Sequence, residues 1–188
     1  MIVREFNSSD KELFLDFVNE VRNFDNNFEG FKVGNIDDFD LFLDKVNRGK
    51  VKVLDSISPQ ITYGVFDDCL IGVFSLRLEL VGCLINHGGN IGYFIRPSKR
   101  NMGYGTKVLK CAIDEALKYG LDRVLVTCRA SNIGSSKVII NNGGVLENIY
   151  YDKDEEICRY WIDLKRWFIW MLFLSLIDWI LLMLILNI

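Results

Sequence analysis

Apolar positions recur along this chain with two alternating periods. Ile2 to Phe6 alternates like a strand, and Asn7, Ser8, Ser9 and Asp10 then offer capping side chains to a helix that begins near Lys11. Leu13, Phe14, Phe17, Val18 and Val21 return at helical spacing, which predicts one buried face. A second amphipathic helix is predicted over Asp37 to Val46, with Phe39, Phe42, Leu43 and Val46 inward and Gly49 as its stop. From Ile61 the period shortens. Ile61 to Phe66, a turn at Asp67-Asp68, and Leu70 to Leu80 read as a β-hairpin, and Ile91 to Ile95 as a further strand ended by Arg96-Pro97. Tyr104 to Tyr119 is helical, with Val108, Leu109, Ala112, Ile113, Ala116 and Leu117 on one side and Gly120 just past its end. A strand from Val124 to Cys128, a short helix from about Gly134 to Asn141, and strands over Val145 to Tyr151 and Ile157 to Leu164 complete the pattern. With no internal repeat and no low-complexity linker, residues 1–164 form one α/β (α+β) domain.

Half of the 188 residues are apolar, enough to bury a full core. The net charge of −3 is spread along the chain, so no basic face for nucleic acid stands out. The five cysteines, Cys69, Cys83, Cys111, Cys128 and Cys158, form no CxxC pair and read as reduced core thiols of a cytoplasmic protein. His87 is the only histidine, which leaves little for a His-based zinc site or a serine triad, and no metal is expected. The opening residues lack the basic and apolar regions of a secretory signal.

Between the strand at Ile91 and the helix at Tyr104 lies Arg100-Asn101-Met102-Gly103-Tyr104-Gly105-Thr106. Its glycines let main-chain N–H groups point inward, and the helix that follows adds its positive end, so the turn suits a pyrophosphate. It is not a P-loop, which needs Gly-Lys-Ser/Thr, nor a dinucleotide fingerprint, which needs glycine where Val108 stands.

The run Gly92-Tyr93-Phe94-Ile95-Arg96-Pro97, followed by Arg100-x-x-Gly103-x-Gly105, resembles motif A of the GNAT superfamily of N-acetyltransferases. Asn132-x-x-Ser135 followed by Gly143-Gly144 resembles motif B. Gly143 to Asn148 and Arg159 to Leu164 are similar to a bacterial subgroup of predicted acetyltransferases. The resemblance implies a mixed, mostly antiparallel sheet flanked by helices, with the strand at Ile91 to Ile95 splayed from its neighbour. It implies acetyl-CoA as co-substrate and direct attack by a primary amine in a ternary complex. It places the pantetheine along that strand, the thioester carbonyl at a main-chain N–H of Phe94 or Ile95, and the pyrophosphate against Arg100, Met102, Gly103, Tyr104, Gly105 and Thr106. Asn132 faces the acyl-transfer site or the pantetheine. Many members carry a tyrosine seven residues after that asparagine to protonate the departing thiolate; here the position is Ile139. The subgroup has histidine where this chain has Asn90. Glu79 is the first candidate base, with His87 and Asn90 flanking the same approach. Lys107 and Lys137 stand within sequence reach of the phosphates, and Tyr93 and Trp161 read as core. A non-catalytic acyl-CoA-binding module and a membrane-recruited acyltransferase stay open as alternatives, as does a homodimer.

After Lys165 and Arg166 the chain is apolar from Trp167 to Ile188 with Asp178 as its one ionisable side chain. As a helix it would be about 33 Å long, enough to span a bilayer core. Leu, Ile and Phe at roughly −0.3 to −0.6 kcal/mol each outweigh about +3 kcal/mol for Asp178. A membrane anchor on the cytoplasmic face, a helix packed on protein and a non-native extension are the open readings.

Overall fold

A computed structural model describes residues 1–24, 38–50, 58–86, 88–152 and 155–165. His87 and the apolar tail lie outside the described residues. Among the described residues, no helix is long and apolar enough to cross a membrane and no group of side chains is arranged to hold a metal.

The first sheet is antiparallel throughout, in the order β1 (Ile2–Glu5), β2 (Gln60–Phe66), β3 (Leu70–Arg77), β4 (Ile91–Ile95). Two helices from the N-terminal third, α1 (Lys11–Phe24) and α2 (Phe39–Arg48), cover one face. There the aromatic residues spaced along both helices meet in one cluster. Phe14 stacks on Phe42 at 4.2 Å, and Phe6 meets Phe42 edge-on at 5.1 Å. Each such fully buried side chain contributes about 1.5–3 kcal/mol. Asp10 closes a capping box with Asn7 and takes a two-pronged ion pair from Arg4 at 2.6 and 2.7 Å. The second helix is capped by Asp38, whose carboxylate accepts from Leu41 N–H.

On the other face lie α3 (Tyr104–Lys118) and α4 (Ile133–Asn141), burying Val108, Leu109, Ala112, Ile113, Ala116 and Ile139 in a second core. That core is shared with the second sheet, again antiparallel, in the order β5 (Arg123–Arg129), β7 (Glu155–Asp163), β6 (Val145–Asp152).

The strands thus form two antiparallel sheets, and the division falls between β4 and β5, where the resemblance implies a splayed strand. The two sheets meet at Asn90, which is 4% exposed. Its N–H donates to Leu125 O and its Oδ1 accepts from Leu125 N–H, both at 2.8 Å. Its Nδ2 donates to Arg77 O at 3.0 Å, in place of its own N–H, while its O still accepts from Arg77 N–H at 2.8 Å. Gly89, with φ of 65°, allows the loop this close: a Cβ there would stand 2.3 Å from Leu125 O. Beyond Asn90 the strands β4 and β5 share no ladder, and a wedge opens between them. The third strand also ends earlier than its composition suggests, at Arg77 rather than Leu80, because its partner begins only at Ile91.

Candidate functional site

The wedge holds a cleft of about 600 Å³. One wall is β4, lining it with Tyr93, Phe94 and Ile95; another is α4, with Asn132, Gly134, Ser135, Lys137, Val138 and Asn141; the turn into α3 closes one end with Arg100, Asn101, Gly103, Gly105 and Thr106.

Strand alternation decides which backbone groups face the cleft. Arg96 N–H donates to Ile71 O and Asn90 O accepts from Arg77 N–H at the two ends of β4, so the even-numbered residues bond toward β3. Phe94 N–H is therefore spent within the first sheet, and the open edge carries the groups of Tyr93 and Ile95. Of the two donors expected for a thioester carbonyl, Ile95 keeps its N–H toward the cleft and Phe94 does not.

At the turn, Gly103 is the N-cap of α3, in left-handed conformation with φ of 80° and no side chain to cap the helix. The N–H groups of Tyr104, Gly105 and Thr106 in the first helical turn have no intrahelical partner, and the turn contains no acidic residue. A Cβ built on Gly103 meets no atom within 4 Å, so the glycine opens onto free space. These donors, the helix end and the open volume fit a diphosphate. Gly105 differs in kind: its Cβ would stand 2.9 Å from Val138 Cγ2, so its bareness lets α4 approach α3. Asn142, 1% exposed, fixes the same junction by donating to Thr106 O and Val138 O.

Several expected residues stand differently. Met102 is 62% exposed and, with Tyr104, does not line the cleft; Tyr104 packs on the core under Lys99 and Lys107. Arg100 donates through Nε to Ile95 O at 3.1 Å, and its guanidinium lies between the rings of Phe24 and Phe94 at 4.8 and 4.9 Å. Asn132 lines the cleft and caps α4 by accepting from Ser135 N–H at 3.0 Å. Lys137 lines it and Lys107 does not. Glu79 is exposed, two residues past β3 and outside the lining, at the Ile91 end of β4, away from the turn. Asn90 spends its amide between the sheets, so it is a joint and no base. Ile139 is fully buried in the core.

Tyr93 packs against the core, as the sequence reading expects, and also lines the cleft. Its hydroxyl lies 2.8 Å from Ser135 Oγ, bridging β4 and α4 across the cleft floor. Burial pushes its phenol up to about 12, against the lowering effect of the Ser135 hydrogen bond. A parallel pair, Ser136 and Tyr160 at 2.7 Å, ties α4 to the second sheet outside the lining.

Solved structures share this overall fold. A spermidine N-acetyltransferase SpeG chimera from Vibrio cholerae and hSSAT superposes with a TM-score of 0.61 at 15% identity, covering 89% of this chain and 99% of that one. A putative ribosomal-protein-serine acetyltransferase from Vibrio cholerae gives 0.63 at 16% identity, over 86% of this chain and 92% of that one. RimJ from Mycobacterium smegmatis, in complex with CoA-disulfide, gives 0.65 at 15% identity, over 87% and 82%. No curated protein sequence matches the chain. A family profile described as acetyltransferase (GNAT) domain matches residues 1–145, which contain β4, the Gly103 turn and α4. The chain belongs to the GNAT acetyltransferase family.

Proposed function

We propose that the protein moves an acetyl group from acetyl-CoA to a primary amine by direct attack in a ternary complex. The observation that carries this reading is the open edge of β4 running into the uncapped, glycine-lined N-terminus of α3. An extended amide-bearing chain can hydrogen-bond along such an edge as an added strand, while its diphosphate takes the helix end. Gly103, Tyr104, Gly105 and Thr106 would hold the diphosphate through their N–H groups, with Lys137 at the rim. Ile95 N–H would polarise the thioester carbonyl. Arg100 serves the site indirectly, by fixing Ile95 O and bracing the turn against Phe24 and Phe94. The thioester supplies the activated acyl group; the protein aligns it and the amine and excludes water.

The acceptor is a small-molecule or peptide amine. It enters from the Ile91 end of β4, where Glu79 stands ready to take its proton. The relatives above are named for spermidine and for a ribosomal protein, so both kinds of amine belong in the test. Calorimetric titration with acetyl-CoA is paired with thiol release over spermidine, an aminoglycoside, free amino acids and a peptide with a free N-terminus. Saturable binding with turnover on at least one amine is expected. Binding without turnover on any of them would favour a non-catalytic acyl-CoA module, and absence of binding would end the coenzyme A reading.

A further inference from the structure

The lining that β4 gives the cleft runs back from Ile95 to Tyr93. Tyr93 is held more firmly than an ordinary aromatic wall. It packs against the core shared with α3, and its hydroxyl meets Ser135 Oγ at 2.8 Å and Ser135 O at 3.5 Å. Ser135 is anchored in turn: its N–H donates to the Asn132 cap at 3.0 Å, and its hydroxyl hydrogen-bonds the Cys128 thiol of β5. A bridge of side chains therefore runs from β4 through α4 to β5. Swinging the ring aside would leave a buried phenol without a partner, which opposes the movement. Behind it, Ile91 is 1% exposed on the same face of β4, and Asn90 then ties the two sheets together. Beyond Tyr93 the wedge is filled core.

Residues rise about 3.4 Å along an antiparallel strand, so the Tyr93 position stands about 7 Å beyond Ile95, on the side away from the turn. Carbon atoms in contact take up about 3.5–4.0 Å of that separation. About 3 Å remains for whatever hangs from a carbonyl held at Ile95 N–H, and that is two C–C bonds of about 1.5 Å. Resting on the coenzyme A reading above, we infer that Tyr93, fastened by Ser135, is the stop that sets the length of the acyl group: acetyl and propionyl fit in front of the ring, and hexanoyl and longer chains do not. Tyr93 acts here as a specificity determinant and takes no part in making or breaking bonds.

Calorimetric titration with acetyl-CoA, propionyl-CoA and hexanoyl-CoA tests this without any acceptor. The wild type should bind the first two within about threefold of each other, and hexanoyl-CoA at least about tenfold more weakly than acetyl-CoA, in the range that overpacking a filled site costs. Tyr93→Ala removes the ring and leaves an apolar cavity beside Ile91 and its core neighbours, which the end of a chain can fill. In that variant the order should reverse, with hexanoyl-CoA the tighter ligand, because each methylene withdrawn from water favours binding. Equal affinity of the wild type for acetyl-CoA and hexanoyl-CoA overturns the inference, and so does a Tyr93→Ala variant that discriminates as the wild type does. Should that variant not fold, Tyr93→Leu takes its place: it keeps an apolar side chain in the core but has neither the ring nor the bridge, and undiminished discrimination in it overturns the inference equally. Failure of the wild type to bind acetyl-CoA at all would instead strike the coenzyme A reading, while binding of all three thioesters alike strikes this inference alone.

Discussion

At Gly103 the backbone is left-handed and the missing Cβ faces open space, so a substitution there is opposed by conformation and by whatever it puts into the cleft. The two effects separate in a pair of variants. Gly103→Ala adds only backbone strain of about 1–2 kcal/mol, and Gly103→Asp adds similar strain plus a negative charge beside the helix end. Both should melt a few degrees low. Acetyl-CoA affinity, measured by calorimetry, should fall less than about tenfold in the first and at least about a hundredfold in the second. Equal losses would show that shape alone matters there. Glu79 tests the other end of β4: Glu79→Gln should lower kcat/KM for the amine about a hundredfold, the lower end for a general base, with acetyl-CoA affinity unchanged. An unaltered kcat/KM would leave proton removal to solvent. The glycines of the turn, Asn132 and the absence of a tyrosine at Ile139 are visible in the sequence because they sit at fixed local spacing. The Tyr93–Ser135 hydrogen bond was not, since the two residues are distant in the chain and meet only once α4 is placed beside β4.

Element by element, what fastens α1 to the site is electrostatic. Arg96, 6% exposed at the end of β4, binds Asp16 and Glu20 of α1 at 2.5 Å each, and Glu20 also accepts from Ser98 N–H at 2.7 Å. Burial raises the Glu20 carboxyl, but the Ser98 and Arg96 hydrogen bonds outweigh it and the net shift is downward. A carboxyl lowered on folding contributes stability that is present above its unfolded value, about 4.3, and is lost as pH falls through the lower folded value. Glu20→Gln should therefore have a lower urea midpoint than wild type at pH 7, and the two should converge as pH drops below about 4. A gap that stays constant to pH 3 would mean that Glu20 acts through shape. Most elements were legible from periodicity: Phe14, Phe17, Val18 and Val21 are buried as their spacing demands, as are Phe39, Phe42 and Val46. The tie to Arg96 was not, because Arg96 and α1 are joined only after the whole first sheet is assembled.

For the molecule as a whole, the decisive feature is the wedge between two antiparallel sheets, and it rests on one buried side chain. Periodicity predicts every strand but not that β4 and β5 part, because parting depends on Asn90 bonding across to Leu125 and Arg77. The same whole-molecule view bears on the domain's extent. Leu164 is fully buried and its N–H donates to Asp122 O at 2.9 Å, while Lys165 pairs with Asp122 at 2.7 Å, so the second sheet is tied off at that point. Both cores and every lining residue of the cleft precede it. A chain ending at residue 166 should thus fold alone, with acetyl-CoA affinity within about twofold of full length, since additivity holds for distant parts that share no partner. Its melting temperature should match within about 2 °C, less than 1 kcal/mol at this size. A larger drop would mean that residues 167–188 pack on the domain. With the domain unaffected by truncation, carbonate extraction of the full chain separates the remaining readings, because an apolar helix spanning a bilayer stays with the membrane pellet and a non-native extension does not.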